Sequence, residues 1–137
     1  MRLGRAIDAT ESVKLFVLVR YVQGTFIEAT LQRRESLEQF LGRTSDGRVG
    51  WIEVRPVPNG FEIWRFDVPD VGSSDLTDLY EFGDDSDAPL NTLREASEAL
   101  DYAVNQLGAN PRRWVNVGMV ESEYVDFIAA GRPALWP

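Results

Sequence analysis

The apolar positions of this chain change period several times, and each change predicts an element. Val13 to Val22 (VKLFVLVRYV) is β-branched and aromatic on both alternating faces, the pattern of a central strand. Gln23-Gly24 breaks that run, and Thr25 to Leu31 reads as a returning strand, so residues 13–31 are expected to form a hairpin. From Ser36 to Gly42 the spacing turns helical. Ser36 and Gln39 have capping-box spacing, Leu37, Phe40 and Leu41 share a face, and Gly42 suits the position just past a helix.

Residues 50–68 carry the clearest local pattern, two apolar runs flanking Pro58-Asn59-Gly60. A three-residue loop with Gly60 in the left-handed position of a bulge pairs Ile52 with Phe66, Val54 with Trp64 and Glu53 with Arg65, sorting the side chains between two faces. In that register Trp64 and Phe66 are core. Trp51 falls on the opposite face with Glu53 and Arg55, which makes it a candidate exposed anchor. Leu79 to Phe82 reads as a short strand between polar loops.

The longest helix is expected over about 92–107. Thr92 and Glu95 form its capping box, Leu93, Ala96, Leu100, Ala103, Val104 and Leu107 recur at helical spacing, and Gly108 ends it. Trp114 to Val117 reads as another short strand. Residues 122–130 read as a final helix with Tyr124, Phe127 and Ile128 on one side, and the tail through Leu135-Trp136 is apolar enough to pack. The expected fold is therefore one α+β domain spanning residues 1–137. Its antiparallel sheet has about four to six strands, covered on one face by the long helix.

Composition supports such a core and narrows the chemistry. The chain has 137 residues, is 44% hydrophobic, and contains four Trp, seven Phe and four Tyr but no His and no Cys. No His general base, Ser-His-Asp or Cys-His set, thiolate nucleophile or His/Cys zinc site can come from this chain. No run approaches the ~18 apolar residues of a membrane span, and the first fourteen residues lack an apolar signal-peptide core. No membrane association and a cytoplasmic location are expected.

Charge is unevenly divided. Residues 1–66 hold ten basic and eight acidic residues, whereas residues 67–137 hold four basic and fourteen acidic ones, for a net charge of −8 overall. Nucleic acid is disfavoured as a partner by that field, and a basic protein is favoured. Asp67 to Asp87 contains eight acids and no base, next to two aromatics. Asp75, Asp78, Tyr80, Glu81, Phe82, Asp84, Asp85 and Asp87, with Trp51, are the candidate partner-binding residues.

Other motifs fall short. A Ca²⁺ loop begun at Asp85 fails at Pro89 and Leu90, and Gly72-Ser73-Ser74-Asp75 lacks the context of a nucleophile loop. Arg33-Arg34 and Arg112-Arg113 are short basic pairs that suit surface ion pairing. No cofactor, metal-ligating set or catalytic residue is expected. The leading expectation is a non-catalytic module presenting the 67–87 region to a basic partner, in the manner of an inhibitor or a toxin-immunity-type protein. Two alternatives are a small-molecule domain with a pocket between sheet and helix, lined by Trp51 and Arg20, and a carboxylate-only enzyme working with Mg²⁺.

Overall fold

The computed structural model describes residues 20–82 and 87–137. In chain order they form α1 (Gly24–Gln32), β1 (Leu37–Ser45), β2 (Arg48–Val57), β3 (Gly60–Pro69), a 3-10 turn (Leu79–Glu81), β4 (Asn91–Leu93), α2 (Ala96–Leu107), β5 (Val115–Asn116) and α3 (Val120–Ala129). The strands make one antiparallel sheet in the order β4-β3-β2-β1-β5. The fold class is α+β.

The sheet is covered on both faces, where the sequence predicted one. Ile27 and Leu31 of α1 and Ala99 and Ala103 of α2 pack on Leu37, Ile52, Val54 and Ile63. On the other face, Val120, Tyr124 and Phe127 of α3 pack on Phe40, Val49, Trp51 and Val68. One layer boundary is thus largely aliphatic and the other largely aromatic. Each fully buried large apolar side chain contributes roughly 1.5–3 kcal/mol by leaving water.

This double coverage explains the β2–β3 register. Val57 pairs with Gly60, Val54 with Ile63 and Trp51 with Phe66, so Pro58 and Asn59 alone form the loop. Every pair is shifted by one residue from the three-residue-loop expectation. That expectation sorted apolar from charged, as one-sided burial would require. With both faces buried, the chain instead sorts aliphatic Val54 and Ile63 from aromatic Trp51 and Phe66, and Glu53 stands opposite Trp64.

Two further expectations are corrected. The hairpin over 13–31 is not formed: Val13 to Val19 lie outside the described residues, and Thr25 to Leu31 lie within helix α1. Ile27, Thr30 and Leu31 are its buried residues, spaced to face the sheet, and that tertiary contact overrides the strand preference of β-branched Ile27 and Thr30. The helix over 36–42 is instead the start of β1. Leu37, Glu38, Gln39 and Phe40 are all buried because the strand is covered on both sides. Gln39 spends its side chain on the backbone of Asn110, accepting from its N–H at 2.6 Å and donating to its C=O at 2.8 Å. Gly42, at φ +77°, sits at a β-bulge, where an added Cβ would lie 2.5 Å from the Trp136 Cβ.

The long helix starts at Ala96, four residues late, because Asn91–Leu93 pair with β3 as β4. Its capping box is made one turn later by Glu95 and Glu98, and Gly108 ends it at φ +73° as the sequence suggests. Leu79–Glu81 is a 3-10 turn and not a strand. The tail packs through Trp136, edge-on to Phe40 at 6.0 Å and to Phe127 at 5.7 Å, while Leu135 is exposed.

Candidate binding face

Beyond Pro69 the chain crosses the aromatic side of the sheet, and α3 holds it there. Tyr124 of α3 is fully buried, donates its hydroxyl to Asp70 Oδ1 at 2.6 Å and accepts the Gly72 N–H at 2.8 Å. Arg132 donates Nε to Asp70 Oδ2 at 3.0 Å and a second N–H to the Gly72 carbonyl. Burial pushes the Tyr124 phenol up to about 12, and the bond to Asp70 adds to the shift. Ser73 and Leu76 then close a small turn through paired backbone bonds of 2.9 and 3.1 Å.

The 3-10 turn lies over the sheet's aromatic row. Asp78 Oδ1 accepts the Tyr80 N–H at 3.1 Å and starts the turn, while Leu79 is buried in the aromatic cluster. The Tyr80 ring meets Trp51 edge-on at 5.4 Å, and its oxygen lies 2.8 Å from both carboxyl oxygens of Glu38. Gly118, in the turn before α3, donates its N–H to Glu38 Oε1 at 2.8 Å. Glu38 is only 1% exposed. Burial raises its carboxyl above the ordinary carboxylate range, and Glu53, its cross-strand partner, pushes the same way. The Gly118 N–H, the Tyr80 phenol and Arg55 act against that rise. Burial and the bond to Glu38 also push the Tyr80 phenol up strongly.

The predicted binding residues separate into four groups. Asp75, Glu81 and Asp87 are exposed, and Asp78 is half-buried. Tyr80 and Phe82 straddle the surface, with Phe82 edge-on to Tyr124 at 6.1 Å. Asp84 and Asp85 lie outside the described residues. Trp51 is 1% exposed, stacked on Phe66 at 4.9 Å, so it is floor beneath this face and not an exposed anchor. The sequence register put it outward because it left that face without a covering layer.

The eight acids of the run are also not equivalent. Asp67 is paired with Arg48 and Asp70 with Arg132. Among the described residues no Arg or Lys forms an ion pair with Asp75, Asp78, Glu81 or Asp87. One member of this face was missed by sequence reasoning. Glu121, in the first turn of α3, lies close enough to Asp78 and Glu81 to be acted on by both, and no local pattern links residues so far apart in the chain. Burial, then the neighbouring Asp78 carboxyl and the charge of Glu81, hold the Glu121 carboxyl above its ordinary range. Val125 follows Glu121 by one helical turn and is exposed, as are Leu76 and Val117.

Elsewhere, polar groups are used internally. Arg20 is buried, donating to Glu123 at 2.7 Å and to Asp126 at 2.6 Å, while Arg113 reaches Glu123 at 3.2 Å. It is thus part of a core ion-pair network that ties the entry of α1 to α3, not a pocket liner. The basic pairs do not converge: Arg33 faces Glu35 at 3.7 Å, Arg34 donates to the Val57 carbonyl, and Arg113 lies 4.5 Å from the Tyr21 ring centre. The space between sheet and α2 is filled by Ile52, Val54, Ile63, Ala99 and Ala103. A cleft of about 380 Å³ lies instead at the start of α1, lined by Tyr21 to Gly24, Pro111 and Arg112. Among the described residues no three acidic side chains are placed to hold a metal ion, and no helix is long and apolar enough to cross a membrane.

No family model matches this chain, and neither a curated protein nor a solved structure matches it. The class that can be stated is an α+β domain, one antiparallel five-stranded sheet with helices on both faces.

Proposed function

We propose that this chain is a non-catalytic protein-binding module whose docking face is the 70–82 segment together with the first turns of α3, and that its partner is basic. The observation that carries the reading is the meeting of Asp78, Glu81 and Glu121 at the surface with no cation in an ion pair with any of them among the described residues. Like charges held together cost the free protein stability, and a partner's Arg or Lys side chains would offset that cost on binding. Exposed Leu76, Tyr80 and Val125 supply apolar contact beside the charges. A net charge of −8 makes nucleic acid a poor alternative. A stoichiometric inhibitor that caps a basic enzyme surface in the cytoplasm, as toxin-immunity proteins do, is the form we favour.

The test compares two triple variants of equal charge change. Asp78→Asn/Glu81→Gln/Glu121→Gln alters the face, and Glu28→Gln/Asp46→Asn/Asp101→Asn alters exposed acids elsewhere. For a partner captured from native lysate and then purified, the first triple weakens binding by roughly fivefold to a hundredfold, as three surface charge pairs would. The second leaves affinity within about twofold at moderate salt, because charges beyond a Debye length are screened. Equal losses in the two variants, or none in the first, would overturn the assignment.

A further inference from the structure

Glu38 is not used by the docking face, yet three separate segments meet on it. Its own strand, β1, lies between β2 and β5, the Tyr80 hydroxyl reaches it from the 3-10 turn, and the Gly118 N–H reaches it from the turn before α3. With 1% exposure it has no water to solvate a charge. Among the described residues no cation forms an ion pair with it. Arg55, whose charge acts on Glu38, is committed to both carboxyl oxygens of Glu53 at 3.1 and 2.8 Å. Glu53 itself stands directly across the strand pair from Glu38, on the same face of the sheet. Like charges directly opposite one another weaken a sheet.

The heavy-atom geometry favours a proton at this point. The Tyr80 oxygen is 2.8 Å from Oε1 and 2.8 Å from Oε2, but the phenol has one proton to give. With Glu38 ionised, one proton is shared between two lone-pair-bearing oxygens. With Glu38 protonated, the phenol donates to Oε1 and accepts the carboxyl proton from Oε2, so both short contacts carry a hydrogen. Gly118 N–H still donates to Oε1 in either form.

We propose that Glu38 is a proton-linked latch: its protonated carboxyl holds the 3-10 turn closed over Trp51 and Phe66, and its ionisation favours lifting of that turn. Opening exposes the carboxyl to water, and the proton it held passes to solvent. Facing Glu38 are Glu53 and Arg55 from β2, the Tyr80 phenol from the turn and the uncharged Gly118 N–H, so the enclosed Glu38 carboxyl changes charge between closed and open forms. Glu121, raised by burial and by Asp78 and Glu81 of the same turn, is the other carboxyl that opening affects, and the Glu38 variant separates the two. The sign follows from the rise at Glu38. Stabilisation of the closed turn is fully present below the ordinary glutamate range and is lost as pH rises through the raised value. The inference does not depend on the docking proposal and is read on the free protein.

The experiment is hydrogen exchange of the Glu81 and Phe82 amides, which close the turn through bonds to Asp78 and Leu79 carbonyls of 3.1 and 3.2 Å. After correction for intrinsic rates, the opening constant should rise with pH, by up to about tenfold per unit, before levelling off. Glu38→Gln, checked for folding by circular dichroism, should remove that rise. Glu28→Gln, exposed on α1 and away from the turn, should leave it in place. In the unaltered chain, a ¹³C titration of the Glu38 carboxyl should share the midpoint of the opening curve. A flat opening constant, the same slope in Glu38→Gln, loss of the slope in Glu28→Gln, or a mismatch of midpoints overturns the latch.

Discussion

Single residues carry two kinds of information here, and only one kind is local. Gly60 illustrates the local kind. The sequence marks Pro58-Asn59-Gly60 as a loop, and Gly60 does adopt a conformation closed to other residues, at φ +152°. Its necessity is doubled by packing, since an added Cβ would sit 2.3 Å from the Leu93 carbonyl oxygen of β4. Gly60→Ala is expected to lower stability by roughly 1–3 kcal/mol, measured as a shift in urea midpoint with unchanged slope. Glu38 illustrates the other kind. Nothing in Ser-Leu-Glu-Gln-Phe distinguishes it from a surface acid, and its burial follows from Tyr80 and Gly118, which lie far along the chain.

Elements were legible where one periodicity dominated, as in the hairpin of β2 and β3, α2 and α3. They were misread where burial on two faces erased periodicity. Leu37 to Phe40 are four consecutive buried residues, and a helical face can be drawn through them as easily as a strand. Thr25 to Leu31 reads as a strand because β-branched and aromatic residues favour strands, yet Ile27 and Leu31 find their contacts as a helix. The tail shows an element with no secondary structure at all. Trp136 closes the aromatic layer against Phe40, Phe127 and the Gly42 bulge. Trp136→Ala should therefore cost about 2–4 kcal/mol, somewhat below a fully buried Trp, read by thermal unfolding. Leu135→Ala, at 88% exposure, should change the midpoint little.

Over the whole molecule, the charge imbalance becomes a specific surface. Of the acids in the 67–87 run, two are neutralised by Arg48 and Arg132, and Asp78 and Glu81 are joined by Glu121 from α3. If that cluster is kept for binding, removing it should relieve the free protein. Asp78→Asn/Glu81→Gln/Glu121→Gln is expected to raise stability at neutral pH and low salt by about 0.5–1.5 kcal/mol. The gain should shrink as salt is added and the repulsion is screened, which chemical denaturation in urea at two ionic strengths would detect. A loss of stability would mean that these acids support the fold.

By itself the sequence determined the α+β class, the excluded chemistries and the acidic character of the 67–87 region, because composition, turn residues and a single apolar period are local properties. Only the tertiary structure decided that helices cover both faces of the sheet, that β2 and β3 pair one residue away from the simplest sorting, and that Trp51 is a floor. It also brought Glu121 to Asp78 and enclosed Glu38. Those outcomes depend on which surfaces meet across the fold, and burial, unlike periodicity, is a property of the pair of surfaces and not of either sequence alone.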